Sequence, residues 1–370
     1  CTKNLPKPDT IITKPQRFFE TLLYTPNSSS LTVDGLEFTP DLIWLKSRTQ
    51  GYRHYWFDSV RGTGQKALSS NQQSGEGDDA GSITSFNRGG FSVPGATGFN
   101  DNGSGTNGVV AWCWKGGGSS STYNIDGTGH TTASAAGLDG GTIDPTGASI
   151  NTETGFSIIA YTGNGTAGAT VAHGLGKKPE WIIIKCRSNT DNWMVYHHEI
   201  DASSPEDYYF ELNATGQRVN STIMLNDTAP TSTLVTLGSD NSVNGSSRTY
   251  VMYCWTGIPG YSKFGSYEGN GSTNGPYADC GFSPRWFMTR RVEGGSNAYI
   301  WDTAREPNNL NNSPLQANDA GSEPANYDNY FDILSNGFKS RSSNAGTNSN
   351  DDRYVFMAFA EQPGITPFDT

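Results

Sequence analysis

Three stretches of this 370-residue chain follow one pattern, beginning at Tyr24, Tyr161 and Tyr267. Pro40, Pro179 and Pro284 are followed six residues later by Lys46, Lys185 and Arg290, and seventeen later by Phe57, Tyr196 and Trp301. Eighteen residues on come Asp58, His197 and Asp302. The strings VVAWCW, YVMYCW and YVFMAF end at Trp114, Trp255 and Phe359, which lie 74, 76 and 75 residues past those prolines. A pattern held over about 100 residues is domain-sized and exceeds the roughly 20–50 residues of a solenoid repeat. The chain therefore reads as a tandem array of three homologous units, each expected to carry its own core.

Segments such as DLIWLKSR, EWIIIKCR and RWFMTRR are short, rich in β-branched and aromatic residues, and bounded by Gly, Pro, Asn and Ser. That is how strands read. With 45 Gly, 17 Tyr, 17 Phe and 9 Trp, the chain is rich in turn formers, and no stretch reads as a long amphipathic helix. The expected fold class is all-β: three tandem antiparallel units resembling β-sandwiches or jelly rolls. Alternation over Leu42–Lys46 is incomplete, which predicts a strand covered on both faces.

The array divides as an extended lead-in at 1–16, unit one at 17–116, a segment at 117–154, unit two at 155–257, unit three at 261–361 and a tail at 362–370. Residues 117–154 are dominated by Gly, Ser and Thr and cannot offset their own ordering entropy, so they read as a linker, or as an arm that orders against a neighbour. Only Ile-Pro-Gly separates units two and three, which predicts a rigid pair and a first unit free to swing.

Twenty-five Lys and Arg against 36 Asp and Glu give a net charge of -11, the wrong sign for a nucleic-acid partner. No window is apolar enough to span a membrane as a helix, so no membrane insertion is expected. Cys1 in place of Met marks a trimmed, processed or lipid-modified start. Cys113 and Cys254 fall at one repeat position where Ala358 stands in the third unit, so they read as small buried hydrophobes and free thiols.

A hairpin centred twelve residues past each proline would set Lys46 opposite Asp58, Lys185 opposite His197 and Arg290 opposite Asp302. Opposite charges across a ladder stabilise it by roughly 0.2–1 kcal/mol, so these are expected register-fixing pairs, weighed against a catalytic role. The glycine string at Gly163, Gly165 and Gly168 precedes no helix and reads as a turn. His197 and His198 point to opposite faces of a strand, so no metal and no cofactor are expected. No nucleophile elbow or marked carboxylate pair appears, and the chain reads as a non-enzyme. Loops of Asn, Ser, Thr, Gly and Tyr suit adaptable binding, with Tyr52, His54 and Trp193 near the first hairpin tips as candidate contact residues.

The strings FTPDLIWLKSR, FDSVRG, LSSN, VAWCWKGGG, GYSKFGSYEGNGSTNGP, LSNGFK and YVFMAFAEQP resemble repeats in virion proteins of marine and cyanobacterial tailed phages, a domain family of unassigned role. The resemblance runs from about Phe18 to Pro363 and implies a component of the extracellular particle, with other virion proteins as partners. The leading expectation is a non-enzymatic tail fibre or adhesin that meets a host-surface glycan, a homo-oligomer with a trimer favoured because it fits a fibre. Alternatives are a capsid decoration or tail-scaffold protein and, from another class, a polysaccharide depolymerase. Unit two departs from the pattern, with His197 for the aspartate of FDSVRG and Ile200 where the others have Arg61 and Arg305.

Overall fold

The computed structural model describes residues 12–77, 81–95, 97–325, 327–328 and 330–362. Cys1 and the rest of residues 1–11 of the lead-in, and residues 363–370 of the tail, lie outside the described residues. The described chain is predominantly β and its ladders are almost all antiparallel. No described helix is long and apolar enough to cross a membrane.

The first large sheet has the order Phe19–Tyr24, Val109–Trp114, Leu42–Ser47, Tyr55–Asp58, Leu68–Ser69. The same order returns near the C-terminus as Ser262–Glu268, Arg353–Ala360, Pro284–Arg291, Ala298–Asp302, Leu315–Gln316. Between them, Phe156–Thr162, Thr249–Trp255, Trp181–Cys186, Trp193–His197 and Tyr208–Glu211 follow it again within a nine-stranded sheet. A smaller sheet packs on each large one. In the first case Ile43, Leu45, Phe57 and Ala111 meet Val33, Phe91 and Val93. Val171 and Leu237 cover the second sheet and Ala278 and Phe338 the third, so each pair of sheets encloses its own sandwich core.

Successive side chains on a strand point to opposite faces. Leu42 and Trp44 therefore turn away from the sandwich core, yet they too are buried, as the incomplete alternation predicts. Trp181 with Ile183 and Trp286 with Met288 do the same, and these residues join Trp56, Trp112, Trp114, Trp193, Trp255 and Phe359 in one central core common to the three large sheets. Ring centroids lie 5.2 Å apart for Trp56 and Trp193, 5.8 Å for Trp114 and Trp286, and 6.4 Å for Trp181 and Phe264. The first sheet system is not free to swing, because its tryptophans are buried against both others.

Residues 117–154 order as an arm. Strands Tyr123–Ile125, Thr128–His130 and Gly147–Asn151 extend the middle sheet, with Gly147–Asn151 laddered on Phe156–Thr162. That ladder satisfies an edge that would otherwise be open, and it buries Ala148 and Ile150. Cys113 and Cys254 are buried free thiols opposite Ile43 and Ile182, and burial pushes both thiols well up. Ala358 occupies the matching place opposite Phe287.

The glycine string forms a turn around the fully buried Asn244, whose amide donates to Asn164 Oδ1, Thr166 O and Gly238 O. Asn348 donates to Asn270 Oδ1, Ser272 O and Ser342 O, and Asn100 to Ser29 O and Pro94 O, in the corresponding turns. Sequence reasoning missed these three hubs. Their available signal is the asparagine three residues past each opening tyrosine, at Asn27, Asn164 and Asn270, whose backbone N–H donates to the hub side chain.

Candidate functional site

The recurring charged residues do not face one another as expected. The hairpins are centred ten residues past each proline, which sets Asp58 opposite Leu42, His197 opposite Trp181 and Asp302 opposite Trp286. Arg290 faces Ala298 and Lys185 faces Trp193, while Lys46 lies beyond the last ladder pair, Leu45 with Tyr55. The pairs Lys46 with Asp58 and Arg290 with Asp302 are thus not cross-strand neighbours. With both faces of these strands buried, the apolar set at Leu42, Trp44, Trp286 and Met288 governs register, and a charge pair of under about 1 kcal/mol does not.

Each cation instead reaches a neighbouring sheet system. Lys46 Nζ donates to Ala320 O at 3.0 Å, as well as to Ser47 O at 2.8 Å and Gln50 O at 3.2 Å. Lys185 Nζ donates to Gln73 O and Asp191 O, both at 2.7 Å. Arg290 donates to Gly216 O at 2.5 Å and to Ser296 O. Ala320, Gln73 and Gly216 lie in the loops after the fifth strands of the third, first and second large sheets. First reaches third, second reaches first, third reaches second, and the ring closes. Backbone bonds repeat the circuit: Glu323 N–H donates to Arg48 O at 2.6 Å, Glu76 N–H to Arg187 O at 2.7 Å, and Arg218 N–H to Val292 O at 2.8 Å. Arg48 with Glu323 at 2.5 Å, Arg187 with Glu76 at 2.9 Å and Arg218 with Glu293 at 3.5 Å add an ion pair at each joint.

Burial holds the Lys46 ammonium down to about 7 against its ordinary 10.5, with Asp319 and Glu323 opposing that shift. A folded value below the unfolded one means that the unfolded chain binds the extra proton between them. Stability should therefore rise with pH across this window, being fully gained above the unfolded value and lost as pH falls through the folded one. Urea unfolding at about pH 7 and about pH 9.5 should show the wild type gaining stability relative to Lys46→Met. Parallel pH dependence in the two proteins would refute this role for Lys46.

The acids serve the same joints. Asp58 accepts from Arg61 Nε at 2.5 Å and from Tyr253 Oη at 2.7 Å. Asp302 accepts from Arg305 Nε at 2.6 Å and from Trp112 Nε1 at 3.0 Å. Tyr253 belongs to the second large sheet and Trp112 to the first, so each carboxylate is buried between systems. At His197 the pattern changes on both sides. The position matching Trp112 and Tyr253 is Met357, which has no proton to donate. The imidazole accepts from Glu199 N–H at Nδ1, 2.9 Å, and places Nε2 3.3 Å from Phe356 O, while the fully buried Ile200 stands where the others have arginine.

His54 and Trp193, expected at an exposed surface, are fully buried. His54 Nδ1 accepts from Trp44 Nε1 at 2.9 Å, and burial with the nearby Lys46 charge holds the imidazole pKa well down. Trp193 Nε1 donates to Ser69 O at 2.9 Å, across a joint. Both side chains are consumed by packing. Tyr52 is half-buried, and its hydroxyl bonds Asp101.

A concave site lies elsewhere, a cleft of about 790 Å³ between the first sheet system and the arm. Its floor is the turn Gly116–Gly117–Gly118, held by buried Asp41, which accepts from Gly116 N–H at 2.8 Å, Gly118 N–H at 3.3 Å and Ser59 Oγ at 2.6 Å. A Cβ on Gly117 would lie 2.3 Å from Ile150 O, so the backbone approaches too closely for any side chain there. Glu37, Arg88, Lys115, Asp126 and Glu153 stand around the mouth. Asp126 is held by Thr152, whose N–H donates at 2.8 Å and hydroxyl at 2.5 Å. Lys115 Nζ sits 5.2 Å from the centroid of Phe18. Among the described residues, Glu37, Arg88 and Glu153 have no hydrogen-bond or ion-pair partner. Sequence reasoning missed the cleft because its walls come from segments that only the folded arm brings together.

Fold and joints together define a class of protein: a predominantly β chain whose sheet systems lock onto one another around a common aromatic core. The chain belongs to the family described as Domain of unknown function (DUF7483), whose model matches residues 14–363. No curated protein and no solved structure matches it.

Proposed function

We propose that the chain is a tandem array of three homologous β-sandwich units closed into a ring, and that it serves as a non-enzymatic structural component of a tailed-phage particle. In this reading it is a tail fibre or adhesin, itself assembled into a homo-oligomer, that presents weak sites to a host-envelope glycan. The carrying observation is that the charged residues recurring through the sequence, Lys46, Lys185, Arg290, Asp58 and Asp302, all hold joints between sheet systems. Chemistry that recurs is thereby accounted for as architecture. A rigid multi-sheet body from one chain suits a particle part displayed in many copies, where linked weak sites gain roughly 10²- to 10⁴-fold in avidity. Continuous coverage of the array by one family model also supports treating it as one functional body.

Electron-microscopic localisation of the chain on purified particles tests the reading. Density on distal tail appendages is expected, whereas density on the capsid lattice would replace the fibre with the decoration alternative. Incubation with envelope polysaccharide, followed by reducing-end measurement, should show binding without release. Sustained release above a heat-inactivated control would establish the depolymerase instead.

A further inference from the structure

We infer that the cleft between the first sheet system and the arm is a saccharide-binding site for a hydroxyl-rich segment of a glycan chain, recognised through Arg88 and Lys115 on one hand and Glu37 and Glu153 on the other. The inference rests on the host-glycan reading above and gives it a location.

Several charged side chains at other junctions form ion pairs, Arg48 with Glu323, Arg187 with Glu76 and Arg285 with Glu20, and the junction cations Lys46, Lys185 and Arg290 donate to carbonyls. Around this cleft both signs are present, and Glu37, Arg88 and Glu153 are left unpaired by the described residues. Carboxylates only accept hydrogen bonds, and guanidinium and ammonium groups only donate them. A purely anionic or cationic ligand would leave one of these sets facing its own sign or nothing. A sugar hydroxyl donates and accepts at once, so vicinal hydroxyls can lie between an acid and a base and satisfy both. Charge-assisted hydrogen bonds of this kind are about twice as strong as neutral ones.

The floor suits the same ligand. Asp41 and Ser149 take the N–H groups of Gly116, Gly117 and Gly118, so the turn presents little unsatisfied donor capacity that would select an anion. The glycines leave the floor free of side chains, and the volume of about 790 Å³ falls in the roughly 300–1,000 Å³ range of small-molecule sites. Asn151 and Thr152, also on the wall, brace it from within, Asn151 bonding Gly116 and Thr154 and Thr152 holding Asp126. The arm extends the middle sheet, and neither the first nor the third large sheet carries such an extension, so the site occurs once per chain among the described residues.

The test applies the full chain to a printed array of neutral, amino and uronic-acid oligosaccharides, beside Arg88→Ala and Glu153→Ala. Both residues are exposed, so the variants should fold and melt like the wild type. Wild-type binding is expected on neutral or amino sugars, with an affinity loss of about tenfold or more in each variant. Signal unchanged in both variants would overturn the cleft while leaving an adhesin with its site elsewhere. Absence of wild-type signal above the heat-unfolded chain would overturn the saccharide site, and particle localisation would still decide the virion reading. Binding confined to uronic-acid sugars would overturn the assignment of ligand class.

Discussion

Trp286→Ala is expected to destabilise the entire chain by about 3–5 kcal/mol, the range for deleting a large buried aromatic, and to do so in one cooperative transition. Trp286 is fully buried, and its ring lies 6.3 Å from Trp44, 6.3 Å from Trp112 and 5.8 Å from Trp114, all on the first large sheet, as well as 5.9 Å from Phe359 on its own sheet. The cavity would therefore open at the meeting point of two sheet systems, between tryptophans more than 170 residues apart in the chain. Guanidinium unfolding followed by far-ultraviolet circular dichroism and tryptophan fluorescence should give coincident curves with a lowered midpoint. A second transition at the wild-type midpoint would show that the first system holds its fold without the common core.

His197→Asp is expected to be nearly as damaging, although aspartate is the residue at both matching positions. At Asp58 and Asp302 the carboxylate is neutralised by Arg61 or Arg305 and receives a further bond from Tyr253 or Trp112. At 197 the matching neighbours are Ile200 and Met357, so a carboxylate would be buried with no cation and no side-chain donor at those two positions, and only a backbone N–H such as that of Glu199 within reach. An uncompensated buried charge costs roughly 3–5 kcal/mol. Burial would raise the new carboxyl's pKa, so the loss should shrink as pH falls and the group protonates. Adding Ile200→Arg should recover much of the stability by rebuilding the pair used in the other two hairpins. Thermal and urea unfolding of the single and double variants measure this, and a double variant no more stable than His197→Asp would refute the account.

Most of the strands could be read locally. Segments such as LIWLKS, WIIIKC and PRWFMTRR announce themselves by β-branched and aromatic residues between turn formers, and the structure holds strands at Leu42–Ser47, Trp181–Cys186 and Pro284–Arg291. The interior use of Cys113 and Cys254 followed from Ala358 at the third position. Register was not legible from charge. The cation six residues past each proline seeks a carbonyl in another sheet system, 274 residues away for Lys46, 112 for Lys185 and 74 for Arg290, and no local spacing encodes those separations. The candidate contacts failed for a related reason. His54 and Trp193 sit near hairpin tips, a usual place for exposure, but those tips are packed into joints.

What each strand needs is written locally in the residues: two apolar faces, a cation at a fixed step and turns that glycine and asparagine can make. Those are short-range demands, set by side-chain alternation and backbone geometry. Long-range packing sets which apolar face meets the small covering sheet and which meets the common centre, because both faces read alike when both are buried. It also decided what becomes of residues 117–154, whose composition cannot hold a fold alone but whose backbone can complete an open sheet edge. The cleft exists for that reason: the arm, once laddered, brings Asp126 and Glu153 opposite Glu37 and Arg88, a meeting of distant segments that burial and edge pairing create and that local sequence does not record.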